Sequence, residues 1–135
     1  MLPLGHISSA IVVSDLIDGD PLIAALTSQV PDLVDKPLAW ILKTTSSSRF
    51  VAHTVLAMAC CSAVAQALGG PRVMRGALAG YGTHLAGDQL LGGKVPALWP
   101  LKRYKLGHKT FRLRLRPLLI ELVAAAHLYR RLSRA

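Results

Sequence analysis

The sequence predicts an all-α fold, a compact, membrane-associated helical bundle built on a central antiparallel helix hairpin. Two apolar runs, residues 51–68 and 73–91, flank the break Gly69-Gly70-Pro71, and helices joined by so short a connection pack antiparallel. Only 17% of the residues are charged and 52% are apolar, with a mean hydropathy of +0.41, against roughly a quarter charged in soluble domains. The strand-like alternation at Thr110 to Arg116 is too isolated to found a sheet. A chain of 135 residues makes one ordinary domain. The division expected is a helical domain at 1–101 and a basic C-terminal segment at 102–135 that contains a short apolar helix, LLIELVAAAHLY.

Taken in order, Pro3 to Ser14 reads as a short apolar helix carrying His6 near its start. The DLIDGD stretch, with Asp15, Asp18 and Asp20, reads as a solvated turn, since its spacing does not match a calcium loop. Pro21 opens a helix continuing to Val30, because proline is tolerated in a first turn. PDLVDKP, bounded by Pro31 and Pro37, reads as a tight, turn-like or short helical connection whose carboxylates Asp32 and Asp35 can point the same way, with a further short helical piece over Leu38 to Leu42. A hydroxyl within Thr44 to Ser48 is expected to cap a long helix starting near Arg49 and ending at Leu68. The next helix is expected from Arg72 to Gly92. Cys60 and Cys61 are adjacent and read as packing residues.

The charge is uneven. Of 16 Lys and Arg, 11 lie from Lys94 onward, while six of seven acids lie at or before Asp88. A basic tail behind an apolar body suits an anionic membrane surface. The amino end lacks the pattern of a cleavable signal peptide, so the membrane contact is expected from 51–68 and 73–91, near the roughly 20 residues that cross a bilayer core. By the positive-inside tendency the end carrying Lys36, Lys43, Arg49 and Lys94 is cytoplasmic. Trp99 and Tyr104 among Lys102, Arg103 and Lys105 suit the interface.

Within GYGTHLAGDQLL, His84 and Asp88 stand four positions apart, on one face of a helix, as an imidazole and a carboxylate of the kind that zinc or manganese takes. In an antiparallel hairpin turning at Gly70, the rise of about 1.5 Å per residue puts His53 at a height between those two. Three donors can therefore converge at the open end of the hairpin. His6, Asp32 and Asp35 are the remaining groups able to complete a cluster of nitrogen and oxygen ligands. His108 and His127 read as solvated or packing residues.

GHI at His6, VPDLVDKP at Asp32 and Asp35, RFVAHTVL at Arg49 and His53, GTHLAGDQL at His84 and Asp88, and LWP at Pro100 together resemble a family of membrane-bound, metal-dependent hydrolases, some described as LexA-regulated and inner-membrane-associated. The resemblance covers about residues 4–101 and is specific as an ordered set. More distantly, the order of the motifs is similar to zinc-dependent phospholipase C, an all-helical phosphoesterase. Lys36 stands where many relatives carry a histidine, which removes one ligand from the set. The basic tail after Pro100 has no counterpart in the resemblance.

The resemblance implies a metal-dependent hydrolase, phosphoesterase-like, with His6, Asp32, Asp35, His53, His84 and Asp88 as metal ligands and a divalent ion, zinc or manganese, that acidifies water. Asp32 or Asp35 would be a ligand or the general base, and Arg49 would bind a substrate phosphate. The partners expected are membrane lipids and a phosphorylated or ester substrate, and a homo-oligomer is compatible with the composition. Two other classes stay open. One is a non-enzymatic integral membrane protein with a buried His/Asp network or ion pathway. The other is a nucleic-acid-binding protein using the basic C-terminal segment, which leaves the N-terminal two thirds without a purpose.

Overall fold

The computed structural model describes residues 3–42, 49–90 and 95–101, together with Val123, Ala126, His127, Arg130 and Ser133. Residues 3–101, as far as described, contain four helices, α1 (Pro3–Leu16), α2 (Pro21–Thr27), α3 (Val30–Leu42) and α4 (Val55–Leu90), and no described residue belongs to a strand. Gly70, at φ 75° and ψ −167°, divides α4 into two arms. No side chain is comfortable at that φ, and Pro71 has no N–H with which to continue the first arm, so the chain reverses there. The antiparallel hairpin expected from the sequence is thus the frame of the fold.

The second arm, residues 71–90, is the central helix. Its buried positions include Gly76, Ala77, Ala79, Gly80, Tyr81, His84, Leu85 and Asp88. α1 runs antiparallel to it, with Ala10 packed on Ala79 and the His6 ring stacked on that of His84. α2 runs parallel to it at backbone contact. A Cβ on Gly76 would lie 2.4 Å from the Asp20 carbonyl, and one on Gly80 would lie 2.2 Å from the Ala24 carbonyl. Tyr81 holds the first arm from the other side: it packs with Leu85, Val95 and Cys61, and its buried hydroxyl donates to the Ala52 carbonyl at 2.6 Å.

Several boundaries differ from those expected. Asp20 is not merely solvated in a turn. It caps α2 by accepting from the Leu22 and Ile23 amides, both at 3.0 Å, and α2 ends at Thr27 with Ser28 as its cap. PDLVDKP and Leu38 to Leu42 form one helix, α3, with Pro31 in its first turn and Pro37 inside it. The long helix starts at Val55, not near Arg49, because the amides of Phe50, Ala52 and His53 are taken by the Asp35 carboxylate. Thr54 then provides the cap, its Oγ1 accepting from the Ala57 amide at 3.0 Å. The expected cap in Thr44 to Ser48 concerns residues of which 44–48 lie outside the described set.

Cys60 is exposed, whereas Cys61 does pack. No described helix is long and apolar enough to cross a membrane, so the expectation of spanning helices at 51–68 and 73–91 is not met. The Gly70 break leaves a first arm of about 22 Å at the α-helical rise, short of a core of about 30 Å, and the second arm carries Arg72, Arg75 and Asp88. His127, read as solvated or packing, stands 3.3 Å from Asp15. Tyr104, His108 and the Thr110 to Arg116 alternation lie outside the described residues, as does most of Leu118 to Tyr129, of which Val123, Ala126 and His127 are helical.

Candidate metal centre

The fold brings His84 on the central helix against three other pieces of chain. Its Nδ1 donates to the Ser28 carbonyl at 2.6 Å, one of the carbonyls that the end of α2 leaves without a helical partner. That bond fixes the tautomer and turns Nε2 inward as an acceptor. His53 is fixed in the same manner, since its Nδ1 lies 2.7 Å from Asp35 Oδ2. The two Nε2 atoms then face each other at 3.3 Å. Both rings are fully buried.

Two carboxylate oxygens border the same point. Asp32 Oδ1, from α3, lies 3.6 Å from His53 Nε2 and 3.9 Å from His84 Nε2. Asp88 Oδ2 lies 3.5 Å and 3.8 Å from the same nitrogens. Nitrogen ligands about 2.0–2.1 Å from a tetrahedral zinc ion stand about 3.3–3.4 Å from one another, with oxygen ligands slightly farther. The His53–His84 separation matches that figure, and the oxygens stand a few tenths of an ångström beyond it. Asp32, His53 and His84 form one group of donors close enough for an ion, and His6, His84 and Asp88 form a second. His6 Nε2 is 3.6 Å from Asp88 Oδ1, and its buried Nδ1 has no hydrogen-bond partner among the described residues.

The electrostatics agree. Among the described residues, Asp32 is paired with Lys36 at 2.6 Å and Asp88 with Arg49 at 2.5 Å. With no metal bound, the surrounding carboxylates favour a proton on His53. Burial works against the charged ring, but bonds to Asp32, Asp35 and Asp88 outweigh it and push its pKa up to about 10. His84 is driven down to about 4, by burial first and then by His6, so it stays neutral and can accept. Burial alone would raise Asp88, yet bonds from His53, His6 and Arg49 hold it well below the usual carboxylate range. The His53 bond foremost does the same for Asp32, against burial and with help from Lys36. A divalent cation would replace the proton with the extra charge the carboxylates favour.

Asp35 does not stand where a ligand or general base was expected. It is fully buried, and its oxygens accept from the amides of Phe50 at 2.6 Å, Ala52 at 3.0 Å and His53 at 3.1 Å, as well as from the His53 ring. Burial opposes its ionisation, but the His53 bond and these amides overcome it and hold its pKa low. Its place is behind His53, orienting the ring from the side opposite the donors. Arg49 is half-buried and bound to Asp88. His6, Asp32, His53, His84 and Asp88 are drawn together. The Ser28 carbonyl and the amides of Phe50, Ala52 and His53 have no side-chain signature in the sequence; the Lys36–Asp32 pair has one, its i,i+4 spacing.

Buried imidazoles and carboxylates converging between helices, with two of the rings held from behind, make this a helical protein whose buried His/Asp cluster could hold a metal ion. The chain belongs to the YdjM inner membrane protein family, which it matches over residues 1–134. That match places it at the inner membrane and takes in the basic segment that the sequence resemblance did not reach. No curated protein and no solved structure matches it.

Proposed function

We propose that this protein is a metal-dependent hydrolase of the inner membrane, acting on a phosphoester. The observation that carries the reading is the pair of inward-facing Nε2 atoms, 3.3 Å apart, with Asp32 and Asp88 oxygens beside them. A zinc or manganese ion bound there would supply Lewis acidity, acidifying water and polarising a phosphoryl oxygen. The ligands in this reading are His53, His84, Asp32 and Asp88, with His6 on the other oxygen of Asp88. Asp35 and the Ser28 carbonyl hold the two imidazoles in place.

The half-open side of the cluster carries two cations. Asp32 is 24% exposed, Arg49 30% and Lys36 56%, so an approaching anion meets a guanidinium and an ammonium first. Arg49 keeps Asp88 ionised and offers a planar group suited to phosphate oxygens. Asp32, strongly acidic and partly exposed, serves better as a ligand than as a base.

The test is elemental analysis of detergent-purified protein with hydrolysis of bis(p-nitrophenyl) phosphate. Wild type should carry a divalent metal and turn over the ester, while Asp88→Ala should have lost both. Equal metal contents would reject the site, and metal without turnover would favour a buried structural or ion-conducting network.

A further inference from the structure

An apolar cavity of about 400 Å³ lies beside the candidate metal centre, lined by Val55, Leu56, Ala59, Leu98, Trp99 and Leu101 among others. Its position follows from the local fold. Val55 is two residues from His53, and its amide donates to the Ala97 carbonyl at 2.9 Å, tying 97–101 to the start of α4. The Trp99 ring lies 5.5 Å from that of Phe50, whose amide is held by Asp35. The short segment that carries Arg49 and His53 therefore also anchors the cavity wall.

We infer that this cavity is a subsite for one hydrocarbon chain of a membrane lipid whose phosphate engages the Arg49 side of the metal centre; this rests on the phosphoesterase reading for the role of the phosphate. Among the described residues the surface of the lining is apolar, which favours a hydrocarbon over a polar ligand, and its volume falls in the range of small-molecule sites. Leu56 and Leu101, 55% and 90% exposed, stand at its edge. From it an apolar track continues along the exposed side of the first arm, through Ala63, Val64, Ala67 and Leu68, with no Asp, Glu, Lys or Arg between Arg49 and Arg72. A surface of that kind is costly in water and natural against lipid. In an inner-membrane protein the ligand with a long apolar part and an anionic ester is a phospholipid.

The test uses full-length protein carrying Trp40→Phe, which leaves Trp99 the sole tryptophan, titrated with hexyl-, octyl- and decylphosphocholine below their micelle concentrations. Trp99 emission should shift to the blue on binding, and affinity should rise about fourfold per added methylene until the cavity is filled. Ala59→Phe, which occupies the cavity, should weaken decylphosphocholine at least tenfold, whereas Ala63→Phe, one turn away on the same exposed face, should leave it unchanged. Equal affinity for all three chains, or equal loss in both variants, would overturn the subsite. The readout needs no turnover: a chain-length trend in a protein that hydrolyses no phosphoester would sink the hydrolase reading alone, and turnover without the trend would sink the subsite alone.

Discussion

His53 Nε2 and His84 Nε2 stand 3.3 Å apart in a fully buried setting, each ring held from behind by a hydrogen bond at its other nitrogen. Two neutral imidazoles so placed would turn lone pairs toward each other, which is unfavourable unless a proton or a cation lies between. The chemistry of the centre follows from that need.

Metal removal should destabilise the protein. An ion that binds only the folded state at a thousandfold excess over its Kd contributes about 4 kcal/mol. For a chain of this length, chelation should then lower Tm by on the order of 10 °C. Calorimetry with and without added zinc or manganese checks this, and an unchanged Tm would argue against a bound ion.

Asp32 and Asp35, three residues apart, should behave in opposite ways. Asp35→Asn puts an amide against backbone donors in a buried pocket and should cost about 3 kcal/mol or more, because those donors lose an ionised acceptor. Asp32→Asn gives up a partly exposed pair with Lys36, worth about 0–1 kcal/mol, yet should lose metal. Urea unfolding together with metal content separates the two. Similar stability losses in both variants would contradict the division of roles.

Glycines on the central helix should divide by the space around them. Gly80→Ala drives a Cβ to 2.2 Å from both the Ala24 carbonyl and Thr27 Oγ1, so α2 must move, at a cost of about 1–3 kcal/mol. Gly82→Ala meets only the Met58 sulfur at 3.8 Å and should gain about 0.5–1 kcal/mol from the helical preference of alanine. Chemical denaturation of the two variants gives the sign directly.

The metal-free protein should be most stable near pH 6.5. His53, raised from 6.5 to about 10, contributes stability that is complete below 6.5 and lost as pH rises through 10. His84, lowered from 6.5 to about 4, stays neutral in the folded state while the unfolded ring takes a proton, so stability falls from 6.5 toward 4. Asp32, Asp35 and Asp88, all held low, add a further loss in acid below their ordinary value of 3.8. Tm of chelator-treated protein against pH checks both limbs, and a flat profile from 6.5 to 10 would remove His53 from its assigned state.

The sequence by itself determined the helical character of the described chain and the reversal at Gly69-Gly70-Pro71, because these follow from local backbone preference; it also put His84 and Asp88 on one helical face through the fixed rise per residue, whereas His53 reaches them from the turn that precedes Val55. It marked Asp35 as chemically important without assigning its place. Only the tertiary structure decided that Asp35 buries itself behind His53, that the amides of Phe50, Ala52 and His53 leave helical bonding to hold it, and that α4 therefore begins at Val55. Backbone donors are the same at every residue and write no pattern into a sequence. Which carboxylate they capture is settled only when α3 and the entrance to α4 are packed together.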